Sequence, residues 1–99
     1  MLEKKMERKL VKAVEDCGAA AWKLSSPGRA GVPDRIVLLP GGRVLFIELK
    51  RPGETQRPLQ VHVAQQLRIL GFPVEVVDSE EGIGRIVQLI RLMTGNVNG

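Results

Sequence analysis

The sequence is poor in aromatic residues, cysteine and histidine, and each shortage excludes a class of protein. It contains no Tyr, one Trp and two Phe, whereas a protein that binds single-stranded nucleic acid by stacking needs several exposed rings. One cysteine, Cys17, excludes an internal disulfide, and with a single histidine, His62, it also excludes a structural zinc site. No apolar run approaches the roughly 20 residues that span a bilayer. These absences favour a reducing, intracellular setting.

The composition that remains is that of one small basic domain. The chain has 99 residues, a hydrophobic fraction of 43% and a net charge of +4, and this length fits a single hydrophobic core. We predict one domain over residues 1–93 and a flexible tail over residues 94–99, which are small and polar. The basic excess is compatible with a polyanionic partner.

The spacing of apolar residues predicts an α/β domain. Helices are expected over residues 2–17 and 59–70, and a last helix is expected to begin at Asp78, which with Glu81 forms a capping-box pattern. Strands are expected over residues 19–24, 35–39, 43–49 and 74–77. The order is α-β-β-β-α-β-α. A hairpin followed by a crossover helix predicts a mixed sheet with helices on both faces.

The hairpin turn fixes which residues of the two central strands are opposed. If Pro40-Gly41-Gly42 is a three-residue loop with Gly42 in the left-handed conformation, Leu39 pairs with Arg43. The same register places Asp34 opposite Glu48, with Cβ atoms roughly 5 Å apart on one face. Lys50 lies two residues beyond Glu48 and projects from that face.

Opposed carboxylates at this distance repel each other unless a cation lies between them. Asp34, Glu48 and the backbone carbonyl of Leu49 make an oxygen-rich set suited to Mg²⁺ or Mn²⁺. Lys50 is placed to orient an attacking water or to stabilise charge that develops on a phosphate. The alternative is a solvated strand end next to an aspartate that caps a turn.

These residues resemble a known family. Gly31-Val32-Pro33-Asp34 followed by Glu48-Leu49-Lys50 resembles the PD-(D/E)XK nuclease superfamily, and most closely its virus-type replication-repair nuclease (VRR-Nuc) domain in stand-alone phage-type members. The resemblance covers residues 3–77. It implies a restriction-endonuclease-like core and metal-dependent hydrolysis of DNA. It also implies Asp34 and Glu48 as metal ligands, Lys50 as the catalytic lysine and Gln60 as an accessory residue.

The same family carries a glutamate on its first helix, and this helix offers Glu3 and Glu7. At about 100° per residue, Glu3 lies roughly 35° from the centre of the apolar stripe and Glu7 roughly 75°. Glu3 is therefore the better candidate for the site and for a metal ligand, although a first-turn acid is also favoured by the helix dipole alone. Glu7 is interpreted as an exposed partner of neighbouring Lys and Arg side chains.

Basic residues flank the predicted site, and arginine suits bidentate contact with phosphate. The candidates for DNA contact are Arg29, Arg35, Arg51, Arg57 and Lys23. Scattered solubilising charge is the alternative interpretation. The basic residues of the first helix are interpreted as its solvated face.

The sequence thus predicts a Mg²⁺-dependent DNA endonuclease, with Mn²⁺ able to substitute. The resemblance implies a dimer acting on branched DNA such as four-way (Holliday) junctions, and surplus apolar residues at Leu89, Leu92 and Val97 are candidates for a two-fold interface. A phage or mobile-element origin and the cytoplasm of a bacterial host are expected. The alternative function is a non-catalytic DNA-binding module on the same fold.

Overall fold

The computed structural model describes residues 4–95, which form three helices and four strands. The predicted element order is confirmed, and strands 35–39, 43–49 and 74–77 match at both ends. The elements in chain order are α1 Lys4–Asp16, β1 Ala20–Lys23, β2 Arg35–Leu39, β3 Arg43–Leu49, α2 Pro58–Ile69, β4 Val74–Val77 and α3 Glu80–Thr94.

The four strands form one mixed sheet in the order β1-β2-β3-β4. β2 is antiparallel to β1 and β3, whereas β4 runs parallel to β3. Leu39 pairs with Arg43, so the predicted hairpin register is confirmed. Both Gly41 and Gly42 adopt positive φ, 87° and 79°, and this fits a turn with Pro40 at its first central position.

Helices cover both faces of the sheet, as predicted. α1 and α3 cover the face that carries Val37, Leu45 and Ile47, all fully buried. α2 lies on the opposite face, where Phe46 of β3 and Val63 of that helix line the same groove. The main core therefore lies under α1 and α3, and the α2 face is left to hold polar residues at the end of β3.

The last helix begins differently from the prediction. Ser79, not Asp78, is the N-cap residue, and its hydroxyl accepts a hydrogen bond of 3.2 Å from the backbone N–H of Gly82. The expected Asp78–Glu81 capping box is therefore wrong by one residue. This shift leaves the Asp78 carboxylate free of the capping role, and it contacts Lys50 instead.

The residues considered for a two-fold interface lie at the end of α3. Leu92 is 67% exposed and Leu89 packs partly against the core, whereas Val97 lies outside the described residues. Thr94, expected in the tail, belongs to α3, and its hydroxyl donates to the carbonyl of Ile90 at 2.8 Å. Within residues 4–95, no helix is long and apolar enough to cross a membrane.

Candidate active site

Asp34 and Glu48 meet at the end of the β2–β3 hairpin, on the α2 face of the sheet. Asp34 directly precedes β2, and its carboxylate Oδ2 accepts a hydrogen bond of 2.7 Å from the backbone N–H of Leu49. Asp34 is exposed, whereas Glu48 is only 2% exposed. One carboxylate therefore faces solvent while its neighbour lies beneath it.

The Glu48 carboxylate is only half satisfied. Its Oε2 accepts a hydrogen bond from the side-chain amide of Gln56, but its buried Oε1 has no hydrogen-bond partner among residues 4–95. Burial raises the pKa of Glu48 above its ordinary 4.5, and the charge of Asp34 raises it further. The Gln56 hydrogen bond and the charge of Arg68 lower this pKa, but they do not offset the rise. A buried carboxylate with an unused oxygen is costly unless a cation or a proton meets it.

Lys50 follows β3 on the same side of the sheet. Its ammonium donates to the backbone carbonyl of Glu54 and lies 3.9 Å from Oδ2 of Asp78. The backbone N–H of Lys50 donates to the carbonyl of Val77 at 3.1 Å, which extends the parallel β3–β4 pairing by one residue. The β4 segment therefore positions Lys50 in two ways: the Val77 carbonyl holds its backbone, and Asp78, which follows the strand, lies beside its ammonium.

These groups open into a cavity of about 300 Å³. The predicted residues Asp34, Glu48 and Lys50 line this cavity together with Leu49, the 54–57 loop and the start of α2. The full lining is Asp34, Glu48, Leu49, Lys50, Glu54, Thr55, Gln56, Arg57, Gln60 and Val76. The Gln60 side chain accepts a hydrogen bond of 3.0 Å from the backbone N–H of Arg57 and so caps α2. Gln56, which reaches Glu48, was missed from sequence because a glutamine in a polar loop carries no signal of its own.

The donor set of the cavity fits a hard divalent cation. The lining holds the carboxylates of Asp34 and Glu48, the backbone of Leu49 between Glu48 and Lys50, and a third acidic residue, Glu54, in the 54–57 loop. Mg²⁺ and Mn²⁺ prefer such oxygen ligands. The unpartnered Oε1 of Glu48 is the observation that favours a cation. Within the part of the chain that the structure describes, no group of three His, Cys, Asp or Glu side chains is placed to hold a metal. Glu3, the predicted helix ligand, lies outside that part.

Glu7 and Arg35 form an ion pair on the other face of the sheet. Nη2 of Arg35 donates to Oε1 of Glu7 at 2.7 Å, and Nη1 donates to the carbonyl of Ala21 at 3.2 Å. The Arg35 side chain is 11% exposed and the Glu7 side chain is 25% exposed. The interpretation of Glu7 as an exposed partner of its neighbours is wrong, because the β2 strand supplies its partner. The structure does not bring Arg35 to the cavity.

The other predicted DNA contacts are spread around the molecule. Arg57 lines the cavity, and Arg51 lies just outside it, with its Nε 3.5 Å from Oε1 of Glu54. Arg29 donates to the side chain of Gln66 beside α2, away from the cavity. Lys23 faces α1. The structure therefore brings together one predicted basic residue with the carboxylates and places a second beside them.

Comparison with known proteins agrees with this geometry. A family model described as the VRR-NUC domain matches residues 1–81. The chain belongs to the VRR-NUC family. It is 46% identical over 79 residues to a protein named "Putative nuclease p44" from Acyrthosiphon pisum secondary endosymbiont phage 1, a match that covers 80% of this chain and 85% of that protein. A solved structure titled "VRR_NUC domain" superposes with a TM-score of 0.80 at 30% identity and covers 87% of this chain and 94% of that one.

The VRR-NUC match supports a nuclease, and it contains both the GVPD segment and the ELK segment. The structure explains why the first of these begins with glycine. Gly31 has a φ of 82°, and a Cβ at this position would lie 2.8 Å from Cγ of Leu59 and 3.0 Å from its carbonyl oxygen. The loop that carries Asp34 can therefore pack against the first turn of α2 only without a side chain here.

Proposed function

We propose that the protein is a metal-dependent endodeoxyribonuclease whose cation is held by Asp34, Glu48 and the Leu49 carbonyl. The observation that carries this proposal is the buried Glu48 carboxylate, which uses one oxygen for Gln56 and has no partner for the other among residues 4–95. Glu3 is proposed as a further ligand, directly or through water. When bound, Mg²⁺ or Mn²⁺ supplies Lewis-acid chemistry, because it polarises a phosphate and lowers the pKa of water.

The side chains of the cavity divide the remaining work. Asp34 lines the cavity and accepts the Leu49 N–H at Oδ2, which leaves its Oδ1 to bind the cation. Lys50 is anchored at the cavity wall by the Glu54 carbonyl and Asp78, and there its positive charge stabilises the negative charge that builds on a phosphodiester during in-line attack by water. Gln60 orders the start of α2, from which Arg57 reaches the same cavity for phosphate contact.

The proposed substrate is DNA, and we infer selectivity for branched structures such as four-way junctions. The chain's low aromatic content supports contacts that are mainly to phosphates rather than to stacked bases. Lys23, Arg29 and Arg51 are proposed as additional phosphate contacts. A homodimer is inferred as well, because it places two sites on two strands, and the exposed Leu92 supports an interface on α3.

Cleavage of labelled DNA tests the proposal directly. Linear duplex, flap and four-way-junction substrates are incubated with Mg²⁺, with Mn²⁺ or with EDTA. Cleavage is expected with either metal and not with EDTA, and the junction is expected to be cut fastest. Light scattering at micromolar protein concentration is expected to give twice the monomer mass, and a monomer would remove the dimer from the proposal.

The competing function is a DNA-binding module without catalysis. The two are separated by Asp34→Asn and Lys50→Ala, which are expected to abolish cleavage while DNA binding in EDTA remains. Arg91→Ala serves as the matched control, since Arg91 is an exposed basic residue on α3. If wild-type protein binds every substrate and cleaves none of them with either metal, the non-catalytic module is the correct reading.

A further inference from the structure

The first helix presents a row of basic side chains next to the edge strand of the sheet. Lys4, Arg8 and Lys12 are all exposed and stand four residues apart, so they follow one face of α1 at intervals of roughly 6 Å along its axis. Lys23, the last residue of β1, lines the same depression. We call this depression of about 420 Å³, lined by these four basic residues, the α1 groove.

The acidic residues in the α1 groove do not cancel its positive charge. Glu7 lies on the groove wall, but its carboxylate is neutralised by Arg35 at 2.7 Å. Glu15 is the remaining acidic residue of the lining, against the four basic residues. Asp16 lies 3.4 Å from Lys12, yet both side chains are more than 60% exposed, and such a surface pair is worth little. A phosphate can therefore displace Asp16 from Lys12.

The groove lies close to the catalytic cavity along the chain but on the other face of the sheet. Asp34 and Arg35 are consecutive residues. Asp34 lines the cavity, whereas Arg35 turns to α1 and lines the groove. Lys23 pairs in register with Arg35 across β1 and β2. The start of β2 therefore separates two openings, one with paired carboxylates and one with basic residues.

We propose that the α1 groove binds a second segment of the DNA phosphate backbone while a first segment occupies the catalytic cavity. This inference rests on the proposed nuclease function and adds to it a basis for substrate choice. A DNA that fills both openings has to bend or branch around the start of β2. Lysine and arginine contacts to phosphates carry no base specificity, so the groove selects DNA shape and not sequence.

Salt dependence of DNA binding tests the groove. The triple variant Lys4→Ala, Arg8→Ala and Lys12→Ala removes three positive charges from it. The control removes three exposed positive charges elsewhere, through Lys5→Ala, Arg85→Ala and Arg91→Ala. Binding to a linear duplex and to a four-way junction is measured in EDTA at several salt concentrations. Each lost phosphate contact lowers the slope of log K against log salt by about 0.9.

For the groove variant, the magnitude of the slope of log K against log salt is expected to fall by roughly 2–3 on the junction and by less on the linear duplex. For the control, it is expected to fall by less than about 1 on either DNA. Equal slopes for the groove variant and the control would overturn the proposal. If the triple variant fails to fold, as judged by thermal unfolding, Arg8→Ala is compared with the single control Arg91→Ala. Arg8→Ala is then expected to reduce the slope on the junction by about 0.9 and Arg91→Ala to leave it unchanged, and equal slopes would overturn the proposal. Cleavage by wild-type protein with Mg²⁺ reports on the nuclease proposal separately, because the slopes are measured without metal.

Discussion

Asp34 is tied to the strand beside it by a hydrogen bond of 2.7 Å from the backbone N–H of Leu49 to its Oδ2. The residue pairs of the β2–β3 ladder end at Arg35 and Ile47, so this contact continues the hairpin through a side chain. It brings the exposed Asp34 carboxylate next to the buried Glu48. The Asp34 side chain therefore has a structural role, because it accepts a hydrogen bond, and a chemical role, because it carries a negative charge.

Two substitutions of Asp34 separate these structural and chemical roles. Asp34→Asn keeps an oxygen acceptor for Leu49 and loses the charge, whereas Asp34→Ala loses both. Both variants are expected to reduce metal-dependent cleavage by at least 10²–10³-fold, by analogy with the loss of one electrostatic contact in a site. Only Asp34→Ala is expected to lose about 1 kcal/mol of unfolding free energy. Cleavage rates and urea unfolding measure the two effects. Equal stability of the two variants would contradict the structural role of the hydrogen bond between Asp34 and the Leu49 N–H.

Replacing Glu48 is expected to stabilise the metal-free protein at high pH. Because burial raises the pKa of Glu48, the folded state keeps its proton at pH values where the unfolded state has lost it. Wild-type stability therefore falls as pH rises from about 4.5 through the raised pKa, and the loss is complete above that pKa. Glu48→Gln has no such loss.

In EDTA at pH 8, Glu48→Gln is expected to have a higher Tm than wild type, because the variant buries no charge when the pH is raised. The difference is expected to vanish near pH 4. Adding Mg²⁺ is expected to raise the Tm of wild type only, because ligand binding to the folded state stabilises it. A lower Tm for Glu48→Gln in EDTA at pH 8 would contradict the burial argument.

The two glutamines of the cavity are expected to have different roles. Gln56 holds Oε2 of Glu48, and Gln60 caps α2 through the N–H of Arg57. Gln56→Ala is expected to weaken Mn²⁺ binding by about 10–100-fold, which is the usual effect of losing a group that orients a metal ligand. Gln60→Ala is expected to lower stability by about 1 kcal/mol with a smaller effect on Mn²⁺ affinity. Calorimetric titration with Mn²⁺ and thermal unfolding distinguish the two, and a reversed pattern would exchange these roles.

Gly31→Ala is expected to destabilise the protein more than the same change at Gly53. Both glycines have φ near +80°, but only at Gly31 would a Cβ meet other atoms, those of Leu59. Gly53→Ala therefore measures the backbone cost, about 1 kcal/mol, and the excess at Gly31 measures the clash with α2. Thermal unfolding of both variants gives this difference. Similar losses at the two positions would mean that α2 can move away without cost.

Local patterns were enough to predict the parts of the site that lie on the hairpin. The turn at Pro40-Gly41-Gly42 sets the register, and a register once set places Asp34 and Glu48 on one face because side chains alternate along a strand. The boundaries of β2 and β3 were predicted from the β-branched and apolar content of the two segments and from the turn between them. Contacts that join distant segments were not predictable in this way. Gln56 reaches Glu48 from a loop without a repeating pattern.

The sequence by itself determined the α/β element order, the register of the central hairpin and the face shared by Asp34, Glu48 and Lys50, because these depend on spacing and turn chemistry within about 20 residues. Only the tertiary structure decided that Glu48 is buried with its Oε1 unpartnered among the described residues, that Asp78 faces Lys50 and that Arg35 binds Glu7. Burial and ion-pair choice depend on which helix packs on which face, and that is set by the whole core.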